Sequence, residues 1–392
     1  MKVACIGNAN NNFFSMVRYL RDKGVDAELV LMNNELAQFH PSNDTFDLSY
    51  QQYTRQVNWG HTHKLHQTNM EHVRQDMKGY DYIIACGAAP AYLRAAGLKA
   101  NLFMPYGADL YAYTAYRITS PKFIRSYNAL VKQQRMAIAE VDHIGVGHSN
   151  ETFQEVFDRL KIADKVIKVS IPMVYNGLYS PENLKAHQNQ SHWHAEFKSL
   201  RSENDMLIFH FNRLFWKNAS DIFSDKGNDR FLKAFARFAK GRTDGYKAHV
   251  MICEYGPQVA ETKQLVKELE IEEYITWFPL MPRKEIMLGV MEADICIGQF
   301  VVSWLLYGSV FEICLMGTPF MGYREDENYA KFYDALYPLI NVSTVDQIHG
   351  ALEEYKEDPD KFQEMGDEAR EWFTKNLVDD QLDKILALIK AG

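Results

Sequence analysis

Short β-rich runs alternate with helix-patterned segments along most of the chain, and that alternation narrows the fold to parallel α/β architecture. Lys2–Ile6 reads as a strand, Phe13–Lys23 as a helix and Ala27–Met32 as a second strand. Tyr82–Ala85, Asn101–Met104, His143–Val146 and Val166–Val169 continue the series. A second series opens at Met206–Phe211 and runs through His249–Cys253, Tyr274–Trp277 and Asp294–Ile297. A chain of 392 residues is too long for one compact core, so each series is expected to form its own α/β domain. Pro181–Asp205, rich in Gln, Asn, His, Ser and charge, reads as the linker. This places the domains at 1–185 and 186–375. Asn43–Met77 is polar and aromatic without a clean period and reads as an excursion from the first domain.

Composition excludes several classes. No run reaches the roughly 18 apolar residues of a membrane-spanning helix, and the N-terminus lacks the apolar core of about 7–15 residues that a signal peptide carries. A cytoplasmic protein is expected. The five cysteines form no C-x-x-C pair and lie in apolar runs, as buried reduced thiols do. Net charge is -8, but residues 1–190 hold 20 Lys/Arg against 17 Asp/Glu, and the remainder 23 against 34. Neither half has the basic stripe of a nucleic-acid binder. The first half would tolerate an anionic partner.

Two cations stand where α/β folds bind ligands. His210-Phe211-Asn212-Arg213 ends a strand, and Lys226-Gly227 opens the amphipathic helix that follows. By position alone, Arg213 and Lys226 could equally be solvated surface charges. Downstream, Glu254-Tyr255-Gly256-Pro257 ends one strand and Ile275–Met281 forms another with its loop. Glu292–Ile297 then leads to Phe311-Glu312-Ile313-Cys314-Leu315-Met316-Gly317-Thr318-Pro319.

This series resembles the C-terminal domain of the retaining, group 1 family of GT-B glycosyltransferases. The resemblance is close over 206–380 and looser before it. It implies two Rossmann-like domains facing an interdomain cleft, with the last helix, about 376–392, crossing back onto the first. It also implies that Arg213 and Lys226 bind a donor diphosphate, that the loop after Ile275–Phe278 covers the base (Trp277, Met281), and that Glu312 binds the ribose. The family has a second Glu eight positions earlier, beside the sugar; here that residue is Trp304, in a loop more apolar than the family's glycine-rich one. The implied activity is sugar transfer from a nucleotide sugar, with UDP favoured, to a glycan, lipid-linked or other hydroxyl acceptor. No cofactor or metal is implied, because Arg and Lys, or a helix N-terminus, can stabilise the leaving diphosphate.

In the first half, Gly7-Asn8 matches the glycine turn through which such domains approach the donor; an ordinary βα connection is the alternative. Pro105-Tyr106-Gly107-Ala108-Asp109-Leu110 resembles the family's Gly-Ser-Asp-Leu turn, making Asp109 a general base or acceptor-orienting group, or else a helix cap. Ile171–Tyr175 resembles the end of the first domain. His61/His63/His66 and His187/His192/His194 lack Cys or carboxylates at ligand spacing, and no metal site is expected of them. The basic amphipathic stretch 121–139 would suit an anionic lipid surface at the inner face of the membrane, or be an ordinary surface helix. A nucleotide-sugar epimerase, or a non-catalytic subunit partnering a transferase, remain the alternatives; Trp304 favours the second.

Overall fold

The structure is a computed structural model that describes residues 1–33, 35–115, 124–147, 151–170, 173–217 and 224–392. The chain divides into two compact units, 1–175 with 376–392, and 176–375. Each is built on one parallel sheet.

The first sheet holds β1 (Lys2–Ile6), β2 (Asp26–Leu31), β3 (Thr54–Gln56), β4 (Tyr82–Ala85), β5 (Leu102–Phe103), β6 (His143–Gly145) and β7 (Val166–Ile167), in the order β3-β2-β1-β4-β5-β6-β7. β1 and β4 form its centre, and Val3–Ile6 and Tyr82–Ala85 are buried throughout. Strands buried on both faces need helices on both sides, which is why they read as continuous apolar runs. The helix Asn12–Asp22 covers one face with Phe13, Phe14, Val17 and Leu20. The helix Asp380–Ala391 returns to this unit through Leu382, Ile385 and Ile389.

The second sheet holds β8 (Met206–His210), β9 (Ala248–Cys253), β10 (Ile275–Phe278), β11 (Ile295–Ile297), β12 (Phe320–Gly322) and β13 (Ile340–Asn341), in the order β10-β9-β8-β11-β12-β13. Register is direct, with Ile208 opposite Val250 and Ile295 opposite Ile208. The helix Asn228–Ala239 buries Phe231, Leu232, Phe235 and Phe238 against it, an i, i+1, i+4, i+7 stripe. Each such side chain contributes about 1.5–3 kcal/mol by leaving water.

Three differences from the sequence reading matter. The unit boundary falls at Tyr175–Asn176, and the expected linker is folded: it contains the helices Pro181–Lys185 and His194–Glu203, with Phe197 fully buried. The excursion 43–77 contributes the edge strand β3. Finally, the stretch 121–139 is only partly described, as the helix Ile124–Glu140; Lys122, Ile171 and Pro172 lie outside the described residues. All five cysteines are buried and unpaired. Among the described residues no helix is long and apolar enough to cross a membrane.

Candidate donor site at the carboxyl edge of the second sheet

β8 delivers the chain to Arg213, and the loop is fixed there by Asn228, the first residue of the following helix. Asn228 is fully buried; its Oδ1 accepts from Phe215 N at 2.9 Å and its Nδ2 lies 3.0 Å from His210 Nε2. Burial pushes His210 down to about 4, so it is neutral and supplies shape, not charge. The Arg213 guanidinium lies 5.6 Å from the Phe215 ring and has no carboxylate partner among the described residues. Lys226 is anchored by its backbone N–H to Phe215 O at 2.8 Å, and its ammonium donates to Gln299 Oε1 at 2.6 Å. Gly227 caps the helix at φ +64°, where a Cβ would press to 3.1 Å from Phe300 and Val301. A helix N-terminus and two cations thus share one loop system, a ready anion-binding arrangement.

Glu312 sits in the otherwise apolar helix Gly308–Met316, beside the ends of β9 and β11. Burial, with its charge adding, pushes the Cys253 and Cys296 thiols up. Its Oε1 accepts from Arg283 Nε at 2.9 Å, with both side chains about a tenth exposed, at 11% and 10%. Arg283 opens the helix Arg283–Glu292, two residues after Met281, which is buried. Trp277 is half-buried on β10 itself, with Lys263 Nζ 5.1 Å from its ring centre. Trp304 lies half-buried in the loop after β11. That loop is fastened by Glu325 N–H to Ser303 Oγ at 2.9 Å, Tyr329 Oη to Ser303 O at 2.8 Å and Tyr337 Oη to Leu305 O at 2.7 Å. Gln299 joins Lys226 to it. The cavities of about 410 and 320 Å³ in this unit are lined by other residues.

In the first unit the expected residues are turned inward. Gly7 has φ +98°, and a Cβ there would meet Cys86 Sγ at 2.5 Å, so close packing alone requires glycine. Asn8 is fully buried: its amide donates to Asn11 Oδ1 and Phe39 O, and its Oδ1 accepts from Phe14 N. Asp109, read as a general base or cap, is fully buried in the described structure. Its carboxylate accepts from Gly87 N at 2.8 Å and from Tyr106 N and Gly107 N at 3.0 Å, binding the loops after β4 and β5 together. Its N–H donors precede it or lie on another loop, so it caps no helix end.

Burial pushes Asp109 and Glu35 up to about 7, against backbone hydrogen bonds that pull the other way. A folded pKa above the unfolded one gives stability that is complete below about pH 4 and is lost as pH rises through 7. Urea unfolding from pH 4 to 8 should show this slope flattened in Asp109→Asn relative to wild type. Equal slopes would show that Asp109 does not titrate there.

The histidines have structural work. His194 Nε2 lies 2.8 Å from Glu292 Oε1, His192 packs on Trp193 at 4.5 Å, and His61 and His63 lie 5.7 Å apart. Among the described residues no three His, Cys, Asp or Glu side chains could hold a metal ion together. Sequence reading missed Arg283, Gln299 and Asn228. The signal for Arg283 was Glu312 itself, because a lone carboxylate in an apolar helix requires a partner.

The fold is GT-B, two units each built on a parallel sheet flanked by helices, and it is shared by solved glycosyltransferases and epimerases alike. Particular solved structures share it. Anabaena HepE, in complex with UDP-glucose, has a TM-score of 0.61 at 15% identity, over 99% of each chain. WaaG, a glycosyltransferase of lipopolysaccharide biosynthesis, has 0.60 at 12%, over the whole of both. A Listeria monocytogenes protein assigned as a UDP-N-acetylglucosamine 2-epimerase has 0.56 at 12%, over 100% of this chain and 96% of its own. No protein family and no curated protein matches the sequence.

Proposed function

We propose that this chain is a glycosyltransferase that moves a sugar from a nucleotide-sugar donor, UDP-sugar favoured, to a hydroxyl acceptor, with the retaining outcome of the group 1 family. The observation that carries the reading is the set Arg213, Lys226 and Glu312 on one carboxyl edge of a parallel sheet. A guanidinium with no carboxylate partner among the described residues, an ammonium held by Gln299 and a helix N-terminus suit a diphosphate, while the partly shielded Glu312 carboxylate suits ribose hydroxyls. As the glycosidic bond to the diphosphate breaks, negative charge grows on the leaving oxygen, and Arg213 and Lys226 would take it up. Met281 and Trp277 would border the base, and Trp304 would offer an aromatic face to the sugar. Gly7 and Asn8 would shape the loop after β1 of the first unit, and Asp109 would act as a positioning residue. HepE crystallised with UDP-glucose supports the choice of donor.

A cytoplasmic location, and a glycan or lipid-linked acceptor approached at the inner membrane face through 121–139, belong to the same proposal. Trp304 in place of a carboxylate favours one further reading, a non-catalytic subunit.

A thermal-shift screen against nucleoside diphosphates and nucleotide sugars, followed by turnover assays, tests the proposal, since a bound ligand raises apparent stability. A shift with turnover on adding acceptor is expected; a shift without turnover would favour the subunit, and a changed sugar without acceptor an epimerase. Because cationic side chains fill the metal's role, turnover should also survive EDTA. Complete loss restored by Mn²⁺ or Mg²⁺ would overturn that part.

A further inference from the structure

Gln299 carries an amide where packing alone would take an apolar side chain. It follows β11, is 1% exposed and precedes Phe300, which is fully buried. Burying an amide costs free energy unless its ends are bonded. Both ends are bonded here. Oε1 accepts from the Lys226 ammonium at 2.6 Å, and Nε2 donates to Val302 O at 3.2 Å. The partners fix which end points where, since an ammonium only donates and a carbonyl only accepts. A glutamate could not donate to Val302 O, and a leucine could serve neither group. The backbone around it is held separately. Gln299 N donates to Tyr307 Oη at 3.2 Å, Tyr323 N to Gln299 O at 2.9 Å and Phe300 N to Lys226 O at 3.0 Å. Exchanging the side chain leaves all three of these bonds available. Val302 lies two residues before Trp304, in the loop whose Ser303 and Leu305 are fastened from the segment after β12. The amide fastens that loop from the Lys226 side.

We infer that Gln299 is a positioning residue for the donor sugar, its amide joining the ammonium at the diphosphate to the loop that carries Trp304. This rests on the transferase reading and names what links the two ends of its donor. Lys226 has three N–H donors, so its ammonium can keep Gln299 Oε1 while it binds a phosphate oxygen. The amide then holds the Trp304 loop in the arrangement that goes with an occupied diphosphate site. Binding on one side favours binding on the other, and the link is equal in both directions.

Calorimetry of UDP, UDP-glucose, UDP-galactose and UDP-N-acetylglucosamine with the full chain tests this in wild type, Gln299→Leu, Gln299→Glu and Tyr337→Phe. Gln299→Leu removes one claim on the ammonium, so UDP should bind it at least as tightly as wild type. Gln299→Glu sets a carboxylate against the ammonium, and UDP should bind it roughly tenfold more weakly or worse. Despite these opposite shifts, both variants should lose the preference that wild type shows among the three sugars, because neither can donate to Val302 O. Tyr337→Phe releases Leu305 O without touching Lys226, so it should blunt the preference and leave UDP affinity unchanged. A sugar preference kept in both Gln299 variants would overturn the inference. So would UDP affinity that moves the same way in both, as a general loss of packing would make it, or a wild type that binds UDP but treats the three sugars alike. In each of those cases the transferase reading stands, whereas a wild-type chain that binds no nucleotide overturns the reading itself.

Discussion

Replacing Arg213 or Lys226 by alanine should weaken UDP binding by roughly 10- to 150-fold. Each replacement removes one charge-assisted contact, worth about 1.5–3 kcal/mol. The two positions should not respond alike. Arg213 has no carboxylate to release among the described residues, so its full contribution is available to the diphosphate. Lys226 must share its ammonium with Gln299, 2.6 Å away, and its loss also removes one tie to the loop that carries Trp304. Lys226→Ala should therefore lower turnover more than Arg213→Ala for a similar loss of affinity, and Lys226→Arg should recover binding better than rate. Salt should weaken wild-type binding more than that of either variant, because only wild type holds both charges against the ligand. Calorimetry showing unchanged affinity in both folded variants would remove the diphosphate site from this loop.

The difference between what could and could not be read in advance follows from the length scale of each interaction. β1, β4, β8 and β9 were legible because a strand buried on both faces must be apolar throughout. β3, with the sequence Thr-Arg-Gln, was not, because an edge strand of three residues owes its pairing to β2 and not to its own pattern. The segment 181–205 looked like a linker since its helices turn polar residues outward. Contacts far along the chain hold it, among them Phe197, the His194–Glu292 pair, the Arg201–Asp294 pair, and Glu285, which accepts from His192 N–H and from the Ser191 hydroxyl. In the site, the positions of Arg213, Lys226 and Glu312 relative to their strands were visible. Their partners were not, because Gln299 lies 73 residues from Lys226 and Arg283 lies 29 from Glu312. The burial of Asp109 was not visible for the same reason: one of its donors, Gly87 N, is 22 residues away on another loop.

Glu312→Gln should lower both stability and nucleotide affinity, and the two losses should be separable. The Arg283 pair makes the exchange costly to the fold, since it leaves a guanidinium that is only 10% exposed without the Glu312 charge. Removing one partner of a fully buried pair costs about 3–5 kcal/mol. Gln keeps an acceptor for Arg283 Nε, so about 2 kcal/mol is expected here, read from the urea midpoint. Arg283→Met combined with Glu312→Gln should regain most of that loss, because no buried charge then lacks its counterpart. Affinity should not follow stability. The double variant still lacks the ribose carboxylate, so UDP should bind it as weakly as it binds Glu312→Gln. 2′-Deoxy-UDP should bind wild type poorly but lose little more on mutation, since the hydroxyl and the carboxylate would remove the same contact. Fully additive costs would mean that Glu312 does not touch the ribose. The Arg283 pair would then be a structural clasp between two helices, and the donor site would have to be sought elsewhere on this edge.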